Sequence, residues 1–243
     1  MSVNLYHGDC LELMATIPDK SIDLILCDLP YGTTEATRDS IIPWGRLWEQ
    51  YKRIRKETAP IVLFGVEPFT SVMINSNFSE FKYNWYWVKD KATGFQYSKF
   101  QPMRRVETIS VFYKRAGAYH PQGLIKLAKP KIKTSKKISR LYDYVSLGRE
   151  HKIEYRNYPK NVLEFACKMQ NRMHPTQKPV KLLEYLIKTY TVAGDTVLDN
   201  CMGSGSTGVA CINTSRNFIG IEKSEEYFEI AKQRLERAEN EKA

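Results

Sequence analysis

Ile22-Asp23-Leu24-Ile25-Leu26-Cys27-Asp28-Leu29-Pro30-Tyr31-Gly32 is an apolar run that stops abruptly at an acid, a proline and an aromatic residue. A run of this length bounded by turn chemistry reads as a buried strand. It delivers a carboxylate and a ring together at its carboxyl end, which is where ligands bind in open α/β sheets. Upstream, residues 3–8 read as a short strand ending at Gly8-Asp9. Asp9 then caps a helix carrying Leu11, Met14 and Ala15 at helical spacing, stopped by Pro18-Asp19. The chain therefore opens β-α-β, the signature of a parallel α/β sheet.

Downstream, Thr33 to Ser40 has the composition of a polar, mobile loop. Leu47, Tyr51 and Ile54 mark one helix face, with Arg46, Glu49, Lys52 and Arg53 largely on the other. Ile61 to Gly65 is a further buried strand, and residues 67–77 are helical with Pro68 in the first turn. Tyr83 to Val88 and Val106 to Tyr113 are aromatic and β-branched, hence strands. After a break, Pro179 starts a helix with Val180, Leu183 and Ile187 as its apolar stripe. Strand 196–198, a glycine loop, a helix to about Thr214, strand 218–221 and a last helix capped by Ser224 complete the chain, with fraying expected beyond Leu235.

The chain has 243 residues, enough for one sizeable core plus an insertion. Its 37 Lys and Arg exceed its 27 Asp and Glu by 10, which makes polyanions the first partners to consider. The excess is concentrated. Residues 114–160 hold 13 Lys and Arg against 3 acids, a local balance as large as that of the whole chain, with five tyrosines interleaved and poor periodicity. This stretch reads as an insertion and not as a layer of the sheet. Five scattered cysteines with no Cys-x-x-Cys and no paired histidines exclude a zinc ribbon and a disulfide framework, so no metal is expected. No charged leader with an apolar core opens the chain and no apolar run is long enough for a bilayer, so a reducing cytoplasm without membrane attachment is expected.

Val197-Leu198-Asp199-Asn200-Cys201-Met202-Gly203-Ser204-Gly205-Ser206-Thr207-Gly208 is a strand running through a glycine turn into a helix. The glycines allow close approach of a ligand to the backbone. Glu222 ends the next strand, where a carboxylate can accept from ribose hydroxyls. Gly203 to Gly208 also matches the dinucleotide fingerprint, but Asp199 would then face a pyrophosphate. A cofactor carrying an amino group and a sulfonium suits that acid better.

Asp28-Leu29-Pro30-Tyr31 resembles the Asp-Pro-Pro-Tyr signature of DNA amino-methyltransferases, and further blocks follow in the order of the β group of that family. They are Gly8-Asp9, Trp87-Val88-Lys89, His174 to Pro179, Asp199 to Thr207 and Gly220-Ile221-Glu222, with only residues 114–160 unmatched. The resemblance implies an α/β fold, a single Rossmann-like methyltransferase domain with a seven-stranded, mostly parallel sheet in permuted order. Residues 1–113 would be its catalytic half, 114–160 a basic target-recognition insertion and 161–243 its S-adenosylmethionine (SAM) half. It places the cofactor among Asp9, Cys10, Asp28, Lys178, Pro179, Asp199, Gly203, Ser204, Gly205, Ser206, Thr207 and Glu222. Within that set Asp9 serves the adenine, Glu222 the ribose, and Lys178, Pro179, Asp199 and the glycine loop the methionine part. Leu29 stands where the family has its first proline, and Asn200-Cys201 where Pro-Phe is usual.

The exocyclic amine of adenine or cytosine is a poor nucleophile, because its lone pair is delocalised into the ring. Accepting both of its N–H bonds, at the Asp28 carboxylate and the Leu29 carbonyl, aims that lone pair at a methyl group. A nearby anion also stabilises the positive charge arriving on nitrogen. Tyr31 would stack on the extruded base, and Pro30 narrows the backbone choices that hold acid and ring together. Asp28, Leu29, Pro30 and Tyr31 are thus the expected catalytic residues, and Lys126, Lys129, Lys131, Lys133, Lys136, Lys137 and Arg140 the expected phosphate contacts. The expected activity is N6-adenine methylation of double-stranded DNA by a monomer or homodimer. N4-cytosine methylation, which often carries Ser in place of Asp28, and a catalytically silent DNA-binding relative are the alternatives. C5-cytosine chemistry is excluded, since the chain has no Pro-Cys nucleophile.

Overall fold

The two most apolar runs of the chain form its central strands. In a computed structural model describing residues 1–32, 40–134, 138–139, 144–145, 150–167 and 177–242, strand β1 (Val3–His7) is followed by helix α1 (Cys10–Met14), β2 (Leu24–Cys27), α2 (Trp44–Ile54), β3 (Ile61–Gly65) and α3 (Phe69–Ser76). Every residue of β2 and β3 is buried. Side chains alternate between faces along a strand. Accordingly Leu24, Leu26, Val62 and Phe64 join one apolar cluster, and Ile25, Cys27, Ile61 and Leu63 the other. Each such fully buried aliphatic side chain contributes about 1.5–3 kcal/mol.

Next come β4 (Phe81–Thr93), β5 (Arg104–Phe112), β6 (Ile125–Thr134), β7 (Ile138–Ser139), β8 (Tyr144–Val145), β9 (Glu150–Arg156) and β10 (Val162–Glu164). The chain ends with α4 (Val180–Tyr190), β11 (Thr196–Asp199), α5 (Ser206–Thr214), β12 (Asn217–Glu222) and α6 (Glu225–Lys242). Eight strands make one sheet in the order β1-β12-β11-β2-β3-β5-β4-β10. All neighbours are parallel except at β5, which runs against both β3 and β4. Helices α4, α5 and α6 cover one face through Leu182, Leu186, Ala210, Ile212 and Leu235, and α1, α2 and α3 cover the other through Met14, Leu47, Tyr51 and Met73.

The sheet has one strand more than the seven expected. The extra one is β10, three residues pairing with Tyr86–Val88 at the β4 edge, of which only Leu163 is buried. The last helix does not stop at Leu235. Leu235 is buried, Ala238 packs on the same cluster, and the Lys242 ammonium donates to the Ile212 carbonyl and, at 2.9 Å, to Ser215 Oγ. Pro179 is the N-cap of α4, one residue before the helix proper.

The chain divides into two compact units, Met1–His120 with Asn161–Ala243, and Pro121–Lys160. The second unit is built on an antiparallel β6–β9 pair, with a short β7–β8 pair between these two strands in sequence. Lys126, Lys129, Lys131 and Lys133 are all exposed on β6. Lys136, Lys137, Arg140, the loop 33–39 and His174 to Thr176 lie outside the described residues. Among the described residues no helix is long and apolar enough to cross a membrane.

Candidate active site and cofactor cradle

Parallel strands put all their carboxyl ends at one edge of the sheet. Asp28 follows β2 there, Gly8 and Asp9 follow β1, Asp199 and Glu222 close β11 and β12, and Lys89 lies in β4 just past its last partner on β10. The reversed β5 contributes from its amino-terminal half, so Glu107, opposite Trp87, reaches the same edge.

Asp28 is bonded on both oxygens. The Tyr31 hydroxyl donates to Oδ1 at 2.5 Å, and the Lys178 ammonium to Oδ2 at 2.6 Å. Lys178 is buried to 8 % exposure, lies 5.1 Å from the centre of the Phe64 ring and stands 3.3 Å from Glu107 Oε2. Lys89, equally buried, donates to Glu107 Oε1 at 3.0 Å. The result is a neutral chain of two carboxylates and two ammonium groups, Asp28–Lys178–Glu107–Lys89, sunk in the sheet edge. Unpaired buried charges would be untenable here, and alternation of sign resolves that cost. Burial pulls the Lys178 ammonium down, but Asp28 and Glu107 outweigh it and its pKa is raised. Burial likewise pushes Glu107 up, and Lys178 and Lys89 more than reverse this. Burial and then Asp28 hold the Tyr31 phenol well above its ordinary value, so it remains a donor.

The motif's local shape follows from its residues. Leu29 is buried in the cluster beneath α1 and α2, so the position that departs from the family's proline anchors the turn by packing. The Tyr31 ring leans on Phe69 at 4.7 Å, and Phe69 is backed by Trp44 at 5.4 Å. Cys27, the residue before Asp28, has its thiol driven up to about 12 by burial, which removes it as a nucleophile.

The glycine loop is organised from within. Asp199, 3 % exposed, accepts from Cys201 N–H at 3.1 Å and from Thr207 Oγ1 at 2.6 Å. Burial nevertheless raises its pKa to about 6. Arg234 of α6 donates to the Ser204 carbonyl at 2.9 Å and to Ser206 Oγ at 3.0 Å. Glu222 accepts from Gly203 N–H and Ser224 N–H, both at 2.8 Å, which joins the loop to the end of β12. A carboxylate has about four lone-pair sites, so two remain for other donors. Asp9 caps α1 by accepting from Leu11 N–H at 2.9 Å and faces Lys223 at 3.2 Å. Cys10 starts that helix, buried, with its thiol hydrogen-bonded to Cys201.

The two left-handed glycines differ in purpose. A Cβ on Gly205 (φ +78°) would stand 2.5 Å from Leu235 Cδ1, so this glycine serves contact with α6. A Cβ on Gly203 (φ +51°) would meet nothing within 4 Å, so here the backbone faces open space. That open stretch, bordered by the acids Asp9 and Glu222, fits a ligand with hydroxyls and a cationic end. Among the described residues no three His, Cys, Asp or Glu side chains converge as a metal site.

Glu107 and Lys89 are the site residues that the sequence reading missed as such. Glu107 is the one acid of β5 and Lys89 one of several charged residues of β4, so their pairing is legible only once β5 is known to run backwards beside β4. Lys178, Pro179 and the glycine loop share the edge with Asp28, while the basic residues of β6 belong to the separate Pro121–Lys160 unit.

The family model described as DNA methylase, for N6 and N4 enzymes, matches residues 22–233. The DNA adenine methyltransferase YhdJ of Escherichia coli is 30 % identical over 96 % of this chain and 82 % of its own length. The crystal structure of the M1.HpyAVI–SAM complex superposes with a TM-score of 0.65 at 24 % identity, covering 96 % of this chain and 98 % of that one. PvuII DNA methyltransferase, described as cytosine-N4-specific, gives 0.67 at 18 % identity over 100 % and 93 %, and at such identities both likenesses speak for the fold alone. The chain belongs to the N6/N4 family of DNA methyltransferases, whose cofactor is SAM.

Proposed function

We propose that this enzyme methylates the exocyclic N6 amine of adenine in double-stranded DNA, with the base turned out of the helix into the pocket beside Asp28. The observation that carries this reading is the Asp28 carboxylate at the end of β2, held beside Tyr31 and a buried lysine. Bound SAM supplies an electrophilic methyl group. Asp28 accepts one N–H of the target amine and the Leu29 carbonyl the other, which turns the nitrogen lone pair out of conjugation. Pro30 fixes the turn between them, and the Tyr31 ring, braced by Phe69, stacks on the base. Lys178 does not lose its counter-ion when the amine approaches Asp28, because Glu107 shares it. The negative field of Asp28 then stabilises charge arriving on nitrogen.

Asp9, Cys10 and Glu222 serve the adenosine end of the cofactor. Asp28, Lys178, Pro179, Asp199 and the Gly203–Thr207 loop (Gly203, Ser204, Gly205, Ser206, Thr207) serve the methionine end. Asp28 in place of Ser and the 30 % identity to a protein named a DNA adenine methyltransferase support adenine over cytosine. The Pro121–Lys160 unit, with its exposed β6 lysines, is read as the DNA-reading part, and the cytoplasm as the place of action. If about six phosphates are neutralised, log affinity falls with log salt at a slope of roughly −5. Methyl-labelled SAM incubated with unmethylated duplex DNA, and separately with RNA, tests the reading. Label in DNA is expected, and label in RNA alone would overturn it.

A further inference from the structure

Between Lys89 and Glu107 the chain leaves the sheet edge as the β4–β5 hairpin, whose tip contains a short 3-10 turn at Phe95–Tyr97. Phe95 is 77 % and Phe100 87 % exposed. Two phenylalanines standing almost wholly in water on one turn are the composition of a contact surface, since isolated domains seldom leave large aromatic groups uncovered together. Their surroundings select the partner. Residues 91–106 contain Lys91, Lys99, Arg104 and Arg105 and no acid. The nearest acid before them, Asp90, accepts from the Cys167 backbone N–H at 2.8 Å. The root of the hairpin is the buried chain of charges, Lys89 to Glu107 at 3.0 Å and Glu107 to Lys178 at 3.3 Å, which ends on Asp28. β4 is irregular between Val88 and Thr93, and along the opposing strand β5 the chain advances about 10 Å from Glu107 to Arg104, or about three base steps at 3.4 Å each. A duplex offering a base to Asp28 therefore passes within reach of this tip.

We propose that the β4–β5 tip is a DNA-stacking element. Phe95 and Phe100 stack on bases next to the displaced target, and Lys91, Lys99, Arg104 and Arg105 hold the adjoining phosphates. Aromatic rings replace lost base stacking without regard to sequence, because every base has a π face. This role rests on the reading of Asp28 as the acceptor of a flipped base, and it is separate from recognition by the Pro121–Lys160 unit.

The test is the binding of a fluorescein-labelled mixed-sequence duplex to wild type and to F95A/F100A, by anisotropy over a salt series, with methyl transfer to the same DNA and SAM affinity measured alongside. The double variant is expected to bind at least 10-fold more weakly, with an unchanged salt slope and unchanged SAM affinity. K91Q/K99Q/R104Q is expected to show a salt slope shallower by roughly 2–3. Equal duplex affinity of wild type and F95A/F100A overturns the hairpin's role. So does a loss of self-association, or of binding to anionic lipid vesicles, with DNA affinity intact. A wild-type protein that binds the duplex through these rings and yet transfers no methyl group would refute the reading of Asp28 and support the hairpin.

Discussion

Lys178 and Asp28, 150 residues apart in the chain, meet as a 2.6 Å ion pair at the carboxyl edge of the sheet. The pair joins the segment before α4 to the end of β2, and Glu107 sits 3.3 Å from the same ammonium. Glu107 thus acts on Asp28 through Lys178, as a positioning residue. Replacing it by Gln leaves two buried ammonium groups facing one carboxylate. Glu107→Gln is expected to destabilise the fold by about 3 kcal/mol, read as a lower urea midpoint. The folded-state pKa of Glu107 is depressed, so its contribution is present above the unfolded value near 4.5 and is lost as pH falls through the lower folded value. The wild-type advantage over the variant should therefore shrink only in acid. Equal midpoints at pH 7 would contradict this.

Asp28→Ala removes the acceptor while Lys178 keeps Glu107 as its partner. Methyl transfer is expected to fall by roughly 10²–10³-fold or more, with SAM still bound in calorimetry. Full turnover by the variant would take Asp28 out of the mechanism.

Tyr31 offers a hydroxyl to Asp28 and a ring to the base. Tyr31→Phe keeps the ring and is expected to stay within about 10-fold of wild type in kcat. Tyr31→Ala loses stacking and the cation–π contribution, together worth roughly 100-fold. Equal losses in the two variants would show that the hydroxyl, not the ring, matters.

The two glycines of the loop separate folding from cofactor binding. Gly205→Ala forces a methyl to 2.5 Å from Leu235 Cδ1 and 3.1 Å from Ala231 Cβ. With left-handed strain added, it should cost about 3 kcal/mol of stability. Gly203→Ala carries the strain alone, about 1 kcal/mol, but places its methyl in the open space of the cradle. Thermal unfolding should report mainly the first variant, and SAM titration mainly the second.

Asp199 titrates in the direction opposite to Glu107. Its folded pKa, about 6, lies above the ordinary value of 3.8, so the folded state binds the proton more tightly and loses stability as pH rises between those values. Asp199→Asn removes that dependence. Its stability relative to wild type should therefore rise by about 2 kcal/mol between pH 4 and pH 7. A flat difference across this range would place the carboxylate in a more solvated setting than its 3 % exposure indicates.

What the sequence discloses and what it hides follow from the same physics. Strands β2 and β3 are legible because both faces are buried, so every residue is apolar and the turn chemistry at their ends stands out. The glycine loop is legible because left-handed positions at Gly203 and Gly205 restrict residue choice. Strand β10 is not, since its three residues are too few for their exposed–buried–exposed alternation to be read. The β6–β9 pair is hidden for a related reason: β6 is exposed along nearly its whole length, and its lysines mask the period of 2. Glu107 could be seen only through the reversal of β5, a tertiary fact. Asp199 reads in sequence as a cofactor contact, and the fold adds a second task that the sequence hides, since it also holds the loop by accepting from Cys201 N–H and Thr207 Oγ1.

The most direct test of the central claim is the identity of the methylated nucleoside. Unmethylated duplex DNA is treated with the enzyme and methyl-labelled SAM, digested to nucleosides and separated. Label is expected in N6-methyl-2′-deoxyadenosine and is lost in Asp28→Ala. Label confined to N4-methyl-2′-deoxycytidine, or undiminished N6-methyl label with the Asp28→Ala variant, would contradict the proposed chemistry.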